Sequence, residues 1–286
     1  MHDYRVVASD GMGFIEGPVF ADDGTLYITS ITKGGVFKVS DEGIVTLFAD
    51  TGGGGNGAAV GDDGVIFVAQ NGRRRVSEGP VFHPVETGIQ RVDPSGVVSW
   101  LTQDPITPND LAFGPDGMLY VTDPTRTPKM NDGRMWRIDP ITGAAELLES
   151  VSWFPNGIAV GPDDRIYVGD TRDGVVYAGE LTADGQWRAM NPVLHLDNAH
   201  PDGLAFDECG NILACSVDFD GGLGSVQTYS LDGRKLDEFS IGRGSFPTNL
   251  AFHPRLKNTL VVTFADLEEV LYVDWACGGL QVPPFR

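Results

Sequence analysis

Cysteine is scarce: Cys209, Cys215 and Cys277 are the 3 cysteines among 286 residues, and their spacing fits neither a disulfide framework nor a paired-thiol zinc site. Free thiols, buried or half-buried, are therefore expected. Positive charge is also in short supply, since 20 Lys and Arg against 40 Asp and Glu give a formal net charge of −20. Phosphate binding needs a positive field, so this balance argues against nucleic acid as a partner. No apolar run is long enough to cross a bilayer, and residues 1–10 lack the apolar stretch of a signal peptide. A cytoplasmic protein without membrane contact is the expectation. No helical pattern of convincing length appears, and the serine-nucleophile signature Gly-x-Ser-x-Gly is missing.

Turn residues are plentiful, with 38 Gly and 18 Pro, and they punctuate a repeat. It reads Glu16-Gly17-Pro18-Val19-Phe20, Asn56-Gly57-Ala58-Ala59-Val60 and Asn109-Asp110-Leu111-Ala112-Phe113. It continues as Asn156-Gly157-Ile158-Ala159-Val160, Asp202-Gly203-Leu204-Ala205-Phe206 and Thr248-Asn249-Leu250-Ala251-Phe252. The first residues lie 40, 53, 47, 46 and 46 positions apart. Most copies run on into an Asp/Gly/Pro turn (Asp22-Asp23-Gly24, Pro115-Asp116-Gly117) and then short β-prone runs such as Leu26-Tyr27-Ile28-Thr29 and Leu119-Tyr120-Val121-Thr122. Six copies of this period predict an all-β fold over residues 1–286, a six-bladed β-propeller of four-stranded antiparallel blades. The run Tyr4-Arg5-Val6-Val7 is expected to supply the outer strand of the last blade and close the ring.

Antiparallel connectivity decides which residues share a face. If each repeat opens the innermost strand, the six leading residues Glu16, Asn56, Asn109, Asn156, Asp202 and Thr248 encircle the channel mouth. The loops after the second strands then surround them. Two of those loops are long, residues 71–88 and 124–133, and are expected to form a lid or specificity wall. The basic run Arg73-Arg74-Arg75 in the first reads as a source of salt bridges in so acidic a chain.

A lone Asn or Asp at a strand start is ordinary turn chemistry. Six converging on one axis, two of them carboxylates, repel unless a positive charge lies between them. An oxygen-only donor set suits a hard cation, with Glu16, Asn109, Asn156 and Asp202 as ligands. Calcium is favoured over magnesium, manganese or zinc, and the absence of His and Cys from the ring argues against structural zinc. Asn56 and Thr248 are placed behind these ligands or facing the substrate, and His200 beside the mouth as a hydrogen-bond partner. Trp153 and Phe154 offer an apolar pocket wall.

The ordered set Ile15-Glu16-Gly17-Pro18-Val19-Phe20, Pro108-Asn109-Asp110-Leu111-Ala112, Thr122-Asp123-Pro124, Pro155-Asn156-Gly157-Ile158-Ala159 and Pro201-Asp202-Gly203-Leu204-Ala205 resembles the gluconolactonase/regucalcin/luciferin-regenerating-enzyme family. The resemblance covers nearly the whole chain. It implies a six-bladed propeller with a divalent metal on Glu16, Asn156 and Asp202, and with Asn109 beside it as ligand or substrate contact. The Asn109-Asp110 and Asp123-Pro124 pairs look closest to the bacterial and fungal gluconolactonases, which makes Asp110 and Asp123 candidate substrate contacts. Regucalcin-like members carry an arginine two residues before the third-blade Asn; here that position is Thr107.

The expected function is metal-assisted opening of a lactone, with the cation polarising the carbonyl and Asp202 assisting the water. A small molecule is the expected partner, and nothing points to a protein partner. Two other readings use the same residues: phosphotriester hydrolysis on the same metal, and a non-catalytic propeller that binds a ligand and keeps a structural calcium.

Overall fold

The computed structural model describes residues 2–75, 82–84, 86–126 and 131–281. Each repeat becomes a four-stranded antiparallel sheet, and the six sheets form the blades of a propeller. In the first blade the strands are Ile15–Phe20, Leu26–Ser30, Gly35–Val39 and Val45–Asp50, from the axis outwards. The innermost strands of the next five are Gly55–Val60, Leu111–Phe113, Pro155–Val160, Pro201–Phe206 and Pro247–Phe252. Among the described residues there is no helix. Tyr4–Ala8 pairs antiparallel with Glu269–Asp274, the third strand of the sixth blade, so the first strand of the chain completes the last blade as expected.

The core is divided in six. Each apolar cluster sits between two neighbouring blades, and together they take in every interface round the ring. The period-2 alternation of a strand explains this division. In Ile66–Gln70, Ile66 and Val68 face the first blade, while Phe67 and Ala69 face the third. In Ile212–Ser216, Ile212 and Ala214 face the fourth blade, while Leu213 and Cys215 face the sixth. Second strands are consequently buried on both faces, and the outer strands carry exposed Leu47, Trp100 and Leu147.

The extra length in the second blade includes a small hairpin, Arg73–Arg75 with Phe82–Pro84, inserted between its second and third strands. The rest of both long loops, 76–81, 85 and 127–130, lies outside the described residues, and so does the expectation that they form a lid.

The cysteines require a correction. Cys209 and Cys277 form a disulfide across 68 residues, and only Cys215 is free and buried. Spacing gave no signal because the partners meet through a tertiary contact. The segment after the last strand crosses back to the fifth blade, where Asp207 and Gly279 form a bridge and the Glu208 amide donates to the Gly278 carbonyl. That pairing sets the two cysteine-bearing turns side by side. Their sulfurs lie near an Asp207 oxygen, but oxidised sulfur is not a thiolate ligand, so the group is no metal centre.

Candidate active site at the channel mouth

Five of the six repeat-leading residues line one cavity of about 1110 Å³: Glu16, Asn56, Asn109, Asn156 and Asp202. Local backbone geometry delivers them there. In five innermost strands the pairing slips beside the leading residue, between Glu16 and Val19, Gly55 and Ala58, Pro155 and Ile158, Pro201 and Leu204, and Pro247 and Asn249. Such a bulge re-aims a side chain that regular pleating would send between the blades.

Hydroxyl groups then fasten four of the six blade-to-blade junctions. Thr29 donates to the Asn56 carbonyl, Thr122 to the Asn156 carbonyl at 2.7 Å, and Thr171 to the Pro201 carbonyl at 2.7 Å. Thr248 belongs to this set. It is fully buried, donates to the Ile15 carbonyl at 2.9 Å and does not line the cavity, so its place is in the backbone scaffold of the mouth.

One of these fasteners also orients Asn156. The Thr171 hydroxyl spends its proton on Pro201, so it accepts from Asn156 Nδ2 at 2.7 Å. Asn156 Oδ1 is left to face the other way, where it accepts from Asn109 Nδ2. An oriented amide oxygen beside two carboxylates is the donor set a hard cation takes.

The carboxylates themselves are held at a cost. Burial raises the Glu16 pKa well above the ordinary glutamate value, and the charges of Asp202 and Asp110 raise it further against partial relief from Arg126. Burial also raises Asp202, to about 7, with Asp110 pushing upward and Arg126 and the hydrogen bond to Asn156 pulling down. Two like charges poorly exposed to water in one mouth favour either a proton or a cation. The residues present therefore fit a divalent ion held by Glu16, Asp202 and the amide oxygens of Asn156 and Asn109.

The remaining expected site residues divide. Phe154 and His200 line the cavity. The His200 Nδ1 lies 2.8 Å from the Thr171 carbonyl, which can only accept, so Nδ1 is the donor in that bond. Trp153 does not line the cavity; it is buried and stacked on Tyr177 at 4.2 Å, where it fills a blade interface. Asp123 is also withdrawn. Its carboxylate accepts from Arg134, Trp136 and the amides of Ile106 and Thr107, which uses its acceptor capacity to hold the chain leading into the third blade. Thr107 is tied there as well, through its hydroxyl to the Pro124 carbonyl.

Asp110 sits one storey below the mouth. Its neighbours in the repeat are Gly17, Gly57, Gly157 and Gly203, and a Cβ on Gly57 would come within 2.0 Å of an Asp110 carboxylate oxygen. The glycines thus make room for the two side chains that occupy this level, Asp110 and Asn249, and Asn249 Nδ2 donates to Asp110 at 3.4 Å. The amides of Leu111 and Ile158 also donate to Asp110, whose pKa burial lifts to about 6. It does not line the mouth cavity. Asn249 lacked any signal on its own, but its position after Thr248 matches that of Asp110 after Asn109.

The sequence pattern named Phe154 and the loop 124–133 for the cavity wall but left the rest of the wall unnamed. Phe14, Phe246, Arg126, Arg172 and Phe219 line it, on segments just before innermost strands or just after second strands. Register in the repeat was the available signal, since these positions vary in chemistry from blade to blade.

Fold and site together define a six-bladed β-propeller with a buried, oxygen-lined acidic pocket at one channel mouth. The chain belongs to the SMP-30/gluconolactonase/LRE-like family, whose region matches residues 14–266. Three solved structures share the fold over nearly all of the chain. A gluconolactonase from Xanthomonas campestris is 22% identical with a TM-score of 0.76, over 96% of this chain and 89% of that one. A regucalcin from Agrobacterium tumefaciens, described as a calcium-binding protein, is 20% identical with a TM-score of 0.78, over 100% and 98%. A luciferin-regenerating enzyme is 17% identical with a TM-score of 0.78, over 100% and 99%. At these identities the likeness is one of fold. No curated protein matches the sequence.

Proposed function

We propose that the chain is a divalent-metal-dependent lactonase, and that calcium is its ion. The observation that carries this reading is the pairing of buried Glu16 with half-buried Asp202, both with raised pKa values, beside the oriented Asn156 oxygen. Family membership and the names of the gluconolactonase and regucalcin neighbours support it. Glu16, Asn109, Asn156 and Asp202 would hold the ion, which supplies Lewis-acid polarisation of the ester carbonyl and charge for the developing oxyanion.

This chain's own groups do the rest. Asp202 accepts a proton from water as the water oxygen bonds to the carbonyl carbon. It returns that proton to the ring oxygen as the ester C–O bond breaks. A carboxylate has two oxygens, so Asp202 can help hold the ion through one and accept the proton of the water at the other. Phe154 and the aromatic wall exclude water from the lactone ring.

The test is a panel of lactones and phosphotriesters assayed with calcium, with EDTA and after calcium is restored. Lactone hydrolysis that EDTA abolishes and calcium restores is expected, with Asp202→Ala and Asn156→Ala each costing about a hundredfold or more in kcat/KM. Turnover of phosphotriesters alone would move the chemistry to that substrate class. Activity that survives loss of the ion would remove the metal from the mechanism.

A further inference from the structure

We propose that the substrate is a lactone carrying a second, anionic group, a carboxylate, and that Arg172 with Arg126 receives it; this rests on the lactonase reading above. The two guanidinium groups come from different blades, the third and the fourth, and both line the mouth cavity. One aromatic ring organises them. Arg172 Cζ lies 4.6 Å from the Phe154 ring centroid and Arg126 Cζ lies 5.4 Å from it. Each makes a cation–π contact with that ring, a contact that consumes none of the N–H donors of Arg172.

Arg172 supplies the second observation. Its Nη2 is buried and has no hydrogen-bond partner among the described residues. A buried N–H of a charged group without an acceptor is costly, and a carboxylate entering the cavity would satisfy it. Arg126 stands between the two tasks of the mouth, because its charge already lowers the pKa of both Glu16 and Asp202.

The other acids of the cavity are committed to backbone amides: Asp266 accepts from Ser245 and Phe246, and Glu268 from Gly13. The wall facing the arginines is aromatic, with Phe219 against Phe246 at 5.8 Å and Phe14 against Phe246 at 6.3 Å. The cavity is therefore polarised across its width. It fits a molecule with an ester carbonyl at the floor, a carboxylate on the side of the third and fourth blades, and an apolar face opposite.

Two lactones of the same ring, one with a free carboxylate substituent and one with a hydroxymethyl group in its place, test this in the calcium-loaded protein. The expected kcat/KM is at least tenfold higher for the carboxylate. Arg172→Gln should reduce that ratio by about tenfold, chiefly through KM, whereas the exposed Arg188→Gln should leave it unchanged. A wild-type ratio of one or below overturns the proposal, and so does a ratio insensitive to both Arg172→Gln and Arg126→Gln. If neither lactone is opened, the lactonase reading fails, and calorimetry decides the anion site by itself. Tighter binding of the ring-opened dicarboxylate than of its monocarboxylate counterpart, lost in Arg172→Gln, supports the site. Equal binding of the two overturns it.

Discussion

At the residue scale, Asp202 and Glu16 are both placed where the charged form is disfavoured. A raised folded-state pKa means the folded protein binds these protons more tightly than the unfolded chain does. Their contribution to stability is complete below the unfolded values and is lost as pH rises, for Asp202 from 3.8 through about 7. Without divalent ions the melting temperature is therefore expected to fall from about pH 4 to about pH 7 through these groups. A bound cation prefers the ionised carboxylates, so millimolar calcium should raise the melting temperature little at the acid end and most at the alkaline end. Differential scanning calorimetry with calcium and with EDTA checks this. A calcium shift that is the same at both ends would separate ion binding from these two side chains. Asp202→Asn should shrink the pH-dependent part of the shift.

At the scale of elements, the innermost strand is the unit that makes the site. Its bulge turns the leading side chain to the axis, and the residue after it is small wherever the neighbouring blade intrudes. At Gly203 a Cβ would come within 2.4 Å of Asn249 Oδ1, so glycine there is required by Asn249 rather than by a turn. The leading residues were legible because they recur at a fixed place in six copies. Asp110, Asp123 and Trp153 share those motifs, yet the structure turns them away from the cavity. A motif records that a position is constrained, and a buried carboxylate with a full set of donors is as constrained as a ligand.

The disulfide acts at the same scale, clamping the segment after the last strand to the fifth blade. Closing a loop of 68 residues restricts the unfolded chain, which is typically worth about 2–4 kcal/mol. Cys277→Ser should lower unfolding stability in urea by an amount in that range. Reduction with dithiothreitol should lower the wild type equally and leave Cys277→Ser unaffected. Equal stability of the oxidised wild type and the variant would show that the clamp is mechanically idle.

Ring closure is decided by the whole molecule. The strand Tyr4–Ala8 hydrogen-bonds to Glu269–Asp274 and joins the interface in which Ala8, Met12 and Ile15 meet Val261 and Val270. Removing residues 2–8 exposes a strand edge and takes away several ladder hydrogen bonds at about 1 kcal/mol each. At about 2–4 °C per kcal/mol for a domain near this size, a drop of roughly 10 °C is expected. Light scattering should also detect edge-to-edge association. Loss of the strand with no change in melting temperature or mass would mean that the six blades hold without it.

The sequence by itself determined the architecture. A repeat written six times, each copy with β-branched runs between turn residues, has one economical solution in which both faces of the second strands are covered, and the chain takes it. It also determined the five leading residues, of six, that line the mouth, because antiparallel connectivity sends equivalent positions of every blade to the same end. Only the tertiary structure decided what surrounds them. Arg126, Arg172 and the facing aromatics come from loops whose register is shared but whose chemistry is not repeated. The Cys209–Cys277 bond likewise joins segments 68 residues apart that become neighbours only after the last blade is laid down. Periodicity fixes what is the same in each blade, and the substrate is met by what differs.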